Sequence, residues 1–482
     1  MPPRPPQPAV RSRSLRLVAV ALALLAGTAV GLVRAFGGGA DPTLGLRYEV
    51  AIDDPATGRI AVSLHVTGSG DRIELGTSDH VLAPADPHVQ FRVREARDPE
   101  GRPLEIVRHA QGWDVETRGR PARIDYEVHL HSPARHRGSF AREALSSIDV
   151  DGARLLGSDV FVFPLTAGVD SLEVRYDLPP DWTLHHPFAT DATTAAPPSL
   201  PALYGSAVAV GRYRHLERQI DAVRVELALR GNYAFGDADL MDVVERVVRH
   251  QVELFGHAPS DRYLFVVNEH PAQEDPELLH YFGLHFRASM VLLIDPRTRR
   301  RSLQGEPASL CAHEFFHNWL GEELRQQGYE MNWFVEGVTT LYAYRTQLAT
   351  GMLDHGRFAR EVRRRHRDHW VDNPARARMS LSEAGSVVLQ DPEVTRLTYT
   401  GGLLVGIALD ERIAAATAGR TSLDDLLVRM VDRARHEPRH RLTRATLEAE
   451  LLALTGEDFG PWLDRHVDGI DRLPLPGFVT SR

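Results

Sequence analysis

Apolar and polar residues alternate along the first half of the chain. From Leu46 to about Leu229 the period is two, and clusters of Gly, Pro and Asp separate the alternating segments. Alternation of this kind predicts strands with one face in the core and the other in solvent. The segments are RYEVAI, RIAVSLHV, DRIELG, ARIDYEVHLH, SLEVRYDL and AVRVELAL. We therefore predict an antiparallel, β-sandwich-like domain over residues 40–232, with a Pro/Ala/Thr loop at 188–205.

Helical spacing begins at Asp237, where apolar side chains of residues 237–256 fall on one helix face. The apolar runs 261–269 and 289–296 are typical of buried strands. Further helices are predicted at 332–351, 354–371, 399–417, 422–436, 442–455 and about 457–468. The whole pattern predicts a multidomain α+β protein, with a domain of strands and helices over 235–351 and a C-terminal helical domain over 352–482.

The N-terminal residues 1–35 form a segment of their own. Arg4, Arg11, Arg13 and Arg16 precede an apolar run at 17–33. A positive flank followed by an apolar core predicts an export signal, either cleaved or kept as a membrane anchor. Both versions place the rest of the chain outside the cytoplasm, in the periplasm, secreted or anchored to the membrane through residues 17–33.

Composition excludes several kinds of chemistry. The chain has no lysine, which excludes a pyridoxal Schiff base, a Walker-A site and a Ser-Lys dyad. Its single cysteine, Cys311, excludes an internal disulfide and an iron–sulfur cluster, and its apolar surroundings favour a buried, unreactive thiol. The formal net charge of -9 gives no reason to expect nucleic acid as a partner.

The stretch SLCAHEFFHNW, residues 309–319, carries the candidate chemistry. On a helix, His313 and His317 project together and can occupy two corners of a zinc tetrahedron. Glu314 lies beside that face, in the general-base position of HExxH peptidases. The alternative is a buried polar network without metal.

A catalytic zinc also needs a third protein ligand. Glu336 follows His317 with eighteen residues between them, which is the HExxH-x18-E spacing of gluzincins. We therefore predict one Zn²⁺ per chain, bound by His313, His317 and Glu336. Thr340, one turn later, stands where many such sites have a carboxylate that orients a ligand histidine.

These motifs resemble the glycyl aminopeptidase family, exported zinc peptidases related to aminopeptidase N. HEFFHNW followed by W-x-x-E-G-x-T-x-x-Y carries the specific part of the resemblance. TYTGGLLVGIALDERI at 398–413 and DFGPWLDRHVDGIDRLPL at 458–475 extend it, and the β-domain from about residue 45 is also similar. The resemblance implies a thermolysin-like catalytic domain and implies that Tyr399 stabilises the tetrahedral oxyanion. The chain stops near the point where the family often continues into a PDZ domain.

The sequence departs from the family where a substrate amine would bind. In FGLHFRAS, Gly283 matches the family's exopeptidase segment, but His285 stands where a glutamate is expected. A histidine cannot pair with an ammonium group as a carboxylate does. Glu269, Asp275 and Glu277 are candidate substitutes. The gap of eighteen residues is also shorter than is usual in the family and matches aminopeptidase N and thermolysin.

The expected function is hydrolysis of peptide bonds by an exported zinc metallopeptidase, through a zinc-bound water activated by Glu314. Three versions stay open: an aminopeptidase, an endopeptidase without amine recognition, and a catalytically silent envelope scaffold. The partner is a peptide or protein substrate, and the sequence predicts no oligomeric state. The adjacent His185 and His186 are candidate ligands of an accessory metal site. The alternative is that they are two ordinary loop histidines.

Overall fold

The structure is a computed structural model that describes residues 43–480 apart from 69, 78–88, 110–111, 131–144, 166–167, 271–278 and 389–390. The predicted export signal or anchor at 1–35 lies outside the described residues, as do Asp275 and Glu277. Within the described part of the chain, no helix is both long and apolar enough to cross a membrane.

The strands of the described chain form four sheets. They are β1 Thr43–Ala51, β2 Arg59–Thr67, β3 Arg72–Gly76, β4 Val89–Arg97, β5 Ile106–His109, β6 Gly112–Glu116, β7 Ala122–Leu130, β8 Ser147–Asp149, β9 Gly152–Leu156, β10 Phe163–Pro164, β11 Gly168–Asp177, β12 Thr183–His185, β13 Thr194–Ala195, β14 Ala207–Gly211, β15 Arg214–Ile220, β16 Val223–Arg230, β17 Arg262–Glu269, β18 Tyr281–Phe286 and β19 Ser289–Ile294.

The α-helices lie mainly in the second half of the chain. They are α1 Gly157–Val160, α2 Leu200–Tyr204, α3 Asp237–Phe255, α4 Arg300–Leu303, α5 Glu306–Phe316, α6 Asn332–Ala349, α7 His355–Arg365, α8 Leu381–Ser386, α9 Pro392–Ala416, α10 Leu423–His436, α11 Arg444–Thr455, α12 Gly460–His466 and α13 Gly477–Thr480. A π-helical turn at His366–Val371 continues α7.

Three sheets make up the N-terminal part of the molecule. Their strand orders are β13-β11-β1-β2-β7-β4, β10-β3-β6-β5 and β12-β14-β9-β8. Strands β1, β2 and β7 alternate buried and partly exposed residues, as the period of two predicts, and their inner faces share one core with β3, β6, β9 and β14. The pairing is not wholly antiparallel, because β1 runs parallel to β11.

The fourth sheet is five-stranded and mixed, in the order β15-β16-β17-β19-β18. It contains AVRVELAL, the segment that forms β16, which the sequence interpretation placed in the antiparallel β-domain. Strand β16 pairs in parallel with β17, so the sheet crosses the predicted boundary near residue 232. Alternation identifies a strand but not its partner, which explains the difference. The edge strand β18 pairs only with β19 among the described strands.

One continuous hydrophobic core joins this sheet to the helices that follow it, from Ile220 to Val479. A smaller cluster joins the sheet's other face to the N-terminal strands β9 and β14. The prediction of a multidomain α+β protein with a helical C-terminal region is confirmed. The individual domain bounds stay predictions.

Candidate metal centre

The HEFFH segment lies on a helix that is buried on every side. Helix α5 follows Gly305 and has Pro307 in its first turn. Proline is tolerated there, because the N–H groups of a first turn have no acceptor within the helix. Every residue from Leu310 to Phe316 is buried. The helix packs between the five-stranded sheet and α6, which carries Glu336. Polar side chains at such a place need partners, because burying them alone is costly.

The three predicted ligands converge on one point. His313 Nε2 lies 3.1 Å from His317 Nε2, and Glu336 Oε2 lies 3.3 Å and 3.6 Å from these two nitrogens. Tetrahedral zinc with bonds of about 2.0–2.1 Å needs ligand atoms about 3.3 Å apart. Neither oxygen of Glu336 accepts a hydrogen bond of ordinary geometry among the described residues. The donor set and its spacing therefore fit a zinc ion.

Two of the three residues have the protonation state that metal binding needs, and the third must lose a proton. Burial lowers the pKa of His313 to about 4, so this imidazole is neutral at pH 7. Burial opposes ionisation of Glu336, but the two imidazoles outweigh it and hold its pKa well below the ordinary value. The Glu336 carboxylate likewise raises the pKa of His317 to about 9, against the effect of burial. Metal binding would displace the proton that His317 carries.

Both histidines are oriented through their second ring nitrogen. His317 Nδ1 lies 3.0 Å from the carbonyl oxygen of Leu320, so Nδ1 carries the proton and Nε2 faces the ligand cluster. His313 Nδ1 lies 3.5 Å from Thr340 Oγ1, which donates its own proton to the Glu336 carbonyl oxygen. Thr340 can therefore accept from His313, at a distance that makes it a weak orienting group.

Glu314 lies against the edge strand of the sheet. A Cβ placed on Gly283 would be 3.0 Å from Glu314 Cγ and 3.3 Å from Oε1, so a side chain there would press on the carboxylate. Burial raises the pKa of Glu314 to about 8, and the charge of Glu336 acts in the same direction. A carboxyl group with a pKa near neutrality can exchange a proton with a reacting molecule.

Tyr399 comes from a third helix. The prediction of a helix start at residue 399 is wrong: α9 begins at Pro392, capped by Asp391, because Pro is tolerated in a first turn. Tyr399 therefore lies in the second turn, with its ring stacked on His313 at a centroid distance of 5.9 Å. Burial, and then the charges of Glu336 and Glu314, raise its pKa far above the ordinary value, so the hydroxyl keeps its proton.

His285 lies beside the cluster as a neutral imidazole. Its ring centroid is 6.0 Å from that of His317, and its Nδ1 lies 3.3 Å from the Tyr263 hydroxyl. That hydroxyl donates to the Ser289 carbonyl oxygen, so Nδ1 of His285 is the donor and Nε2 is left as an acceptor. Burial holds the pKa of His285 well below the ordinary value, and its Nε2 has no partner among the described residues. His285 thus offers no negative charge to a substrate amine.

Other residues named from the sequence lie elsewhere or are inert. Glu269 is exposed at the end of the sheet away from His285, because it pairs with Ile294, which in turn pairs with Tyr281 at the start of β18. Its carboxylate accepts from the Asn232 amide. Cys311 is buried, and burial raises the pKa of its thiol to about 12, so the thiol carries no nucleophilic charge at neutral pH.

Comparison with known proteins shows which family and which solved structures the chain resembles. The model of the M61 glycyl aminopeptidase family matches residues 306–392, from the start of α5 to the first residue of α9. No curated protein matches. An aminopeptidase N family protein from Idiomarina loihiensis superimposes with a TM-score of 0.75 at 15% identity, covering 90% of this chain and 78% of that one.

An M1 zinc metallopeptidase from Deinococcus radiodurans, in a mutant form bound to a Tyr-Ser-Ala substrate, is a second solved structure with this architecture. It has a TM-score of 0.58 at 16% identity, covering 91% of this chain and 97% of that one. At such identities the likeness shows the fold. Together with the family match, it confirms that the chain resembles gluzincin aminopeptidases.

Proposed function

We propose that the protein is a zinc metallopeptidase that hydrolyses peptide bonds. The observation that carries the proposal is the buried triangle of His313, His317 and Glu336 nitrogen and oxygen atoms beside Glu314. A zinc ion held by these three residues supplies Lewis acidity, which makes water nucleophilic near neutral pH. The names of the matching family and of the solved structures support a peptide as substrate.

The surrounding residues supply the proton chemistry. Glu314 takes the proton of the attacking water and passes it to the leaving amine, a task that suits a buried carboxylate with a raised pKa. Tyr399 donates a hydrogen bond to the oxygen that gains negative charge, because its raised pKa keeps its hydroxyl protonated. The Leu320 carbonyl orients the imidazole of His317, and Thr340 orients that of His313.

Replacing Glu314 tests the proposal. We expect Glu314→Gln to lower kcat about 10²–10⁴-fold, which is the usual contribution of a general base. Zinc content should stay the same, because Glu314 is not one of the three ligands. Glu330→Gln, an exposed change in the neighbouring turn, is the matched control. Full activity of Glu314→Gln would exclude this mechanism, and zinc-free wild-type protein would favour the silent scaffold.

The mode of cleavage rests on His285. The family and the fold favour an aminopeptidase, but a buried neutral imidazole cannot form the charge-assisted pair with a substrate ammonium that a carboxylate forms. Measuring kcat/KM on a free peptide and its N-acetylated form separates the two modes. Equal rates would establish an endopeptidase without amine recognition, and loss of cleavage after acetylation would establish the aminopeptidase.

The proposed site of action is outside the cytoplasm. The arginines before residue 17 and the apolar run at 17–33 support export, with that run as signal or anchor. Cell fractionation with an antibody against the catalytic domain tests this. Recovery of the whole pool with cytoplasmic markers would contradict it.

A further inference from the structure

A second group of metal-binding side chains lies between the N-terminal sheets and the five-stranded sheet. His185 is on β12, His215 on β15 and Glu226 on β16, and one ligand atom from each lies within 4.8 Å of the other two. His185 Nδ1 is 2.7 Å from Glu226 Oε1, and His215 Nε2 is 3.4 Å from the same oxygen. The donor set is again two imidazoles and one carboxylate.

The strands fix this arrangement. In the β15–β16 ladder, Glu217 is opposite Glu226, so His215, two residues before Glu217, is the diagonal neighbour of Glu226 on one face. Strand β12 is the edge of its own sheet and brings His185 onto that face. The adjacent His186 takes no part, because its Nδ1 accepts from the Phe188 amide at 3.0 Å and its ring is buried.

Proton counting leaves a place for a proton or a metal ion between His185 and Glu226. The Thr183 hydroxyl donates its one proton to the Gly211 carbonyl oxygen, so its 2.9 Å contact with His185 Nε2 must be donated by the imidazole. In a neutral His185 the proton then lies on Nε2, and Nδ1 carries a lone pair that faces the Glu226 oxygen. Two acceptors 2.7 Å apart are repulsive unless a proton or a metal ion lies between them.

The rest of the cluster leaves room for a metal ion. His185 and Glu226 are buried, whereas the His215 side chain is 45% exposed, which leaves one side of the group open to water. The second carboxylate oxygen of Glu226 faces Arg262 at 3.5 Å, which leaves Oε1 for the two histidines.

We propose that His185, His215 and Glu226 form a second site, for a divalent transition metal such as Zn²⁺. Two imidazoles and a carboxylate are a ligand set of zinc and its first-row neighbours, whereas Mg²⁺ and Ca²⁺ prefer oxygen ligands alone. The bound ion cross-links the edge strand β12 of the N-terminal part to β15 and β16 of the five-stranded sheet, which packs against α5. This is a structural role, independent of the proposed hydrolysis.

Zinc stoichiometry of the full, tag-free chain tests the proposal. The His313→Ala background removes a ligand of the active centre, and after equilibrium dialysis against buffered zinc it should retain one ion per chain. Adding His215→Ala should reduce this to none, whereas adding His436→Ala, an exposed histidine on α10, should leave one. In the unaltered chain, His215→Ala should reduce two zinc ions to one.

The absorption spectrum of bound Co²⁺ gives a second test, which depends neither on enzyme activity nor on the first metal centre. Co²⁺ in the His313→Ala protein should give visible d–d absorption that His215→Ala abolishes and His436→Ala keeps. A His313→Ala protein that retains no metal would overturn the proposal and leave His185 and Glu226 as an ion pair around a proton. Equal zinc content with and without His215 would also overturn it, because the ion would then be bound elsewhere.

Discussion

Tyr399 is the residue whose role can be separated from metal binding, because it contacts a ligand without being one. Its ring stacks on His313, and its hydroxyl lies near the Glu336 carboxylate. We expect Tyr399→Phe to keep the ring contact and the zinc but to lower kcat about 10²–10³-fold, as the loss of one donor to an oxyanion does. KM should change little, because the hydroxyl acts on charge that develops only in the transition state.

The control for this prediction is Tyr329→Phe, which removes an exposed hydroxyl from the turn before α6. It should leave kcat unchanged. If Tyr399→Phe lost zinc together with activity, the tyrosine would be a structural support of His313 rather than a donor to substrate. Unchanged kcat would remove Tyr399 from the mechanism.

Residue spacing predicted part of this chemistry and could not predict the rest. The four-residue interval places His313 and His317 together, because helices have a fixed rise and angle per residue. The eighteen-residue interval to Glu336 crosses the segment between α5 and α6, so it pointed to a third ligand as a known gluzincin spacing and not through helix geometry. No interval relates His185 to His215 and Glu226, since their meeting depends on which sheet edges lie side by side. The neutrality of His285 depends on its burial and on the nearby His317, which are tertiary features.

At the scale of elements, the crossing of α6 and α9 places Tyr399 beside the ligands. The two backbones touch at Gly337 and Gly402, where a Cβ on Gly402 would be 1.8 Å from the Trp333 carbonyl oxygen and 2.8 Å from Gly337 Cα. No side chain can be accommodated there without separating the helices. Both glycines belong to motifs noted in the sequence, and the structure supplies the physical reason for them.

Gly402→Ala should therefore separate α9 from α6. We expect a loss of about 1–3 kcal/mol in the free energy of unfolding, typical of overpacking. A shift of about 1 Å in Tyr399 should lower kcat up to about 100-fold, with zinc retained because all three ligands lie on or next to α5 and α6. Thermal unfolding, steady-state kinetics and metal analysis measure the three effects.

Gly406→Ala, one turn further along α9, is the matched control. Its Cβ would meet the end of the Leu341 side chain at 3.0 Å, and that side chain can rotate away. Stability and kcat of this variant should stay close to those of the unaltered chain. Equal losses in both variants would mean that any added methyl group disturbs α9, and the argument from the Gly337–Gly402 contact would fail.

The elements differed in how well the pattern predicted them. Amphipathic α3 and the buried strands β17 and β19 lie where periodicity put them, within a few residues. The start of α9 was misplaced by seven residues, from 399 to Pro392, because PEVTRL carries no apolar face strong enough to show its helix. The partners of β1 and β16 were missed because pairing is a long-range property.

At the scale of the whole molecule, the N-terminal sheets support the strand that lines the metal centre. Successive residues of a strand face opposite sides of the sheet. In β18, Gly283 and His285 therefore face α5, and the residues that alternate with them face the other side. On that other side, Phe282, Leu284 and Phe286 share a core with Leu156 and Ala209 of the N-terminal part. The Ala207 amide also donates to Ser289 Oγ on β19.

This contact predicts that residues 214–482 cannot form a stable enzyme alone. Removing the N-terminal sheets would expose the outer face of β18, and contiguous apolar patches of this kind cause association. We expect the fragment to aggregate in size-exclusion chromatography, and the same fragment with Phe282→Ser, Leu284→Ser and Phe286→Ser to be more soluble. A monomeric, unsubstituted fragment with the full chain's kcat would show that β18 holds Gly283 against Glu314 without help. Aggregation that the three substitutions fail to relieve would place the exposed surface elsewhere.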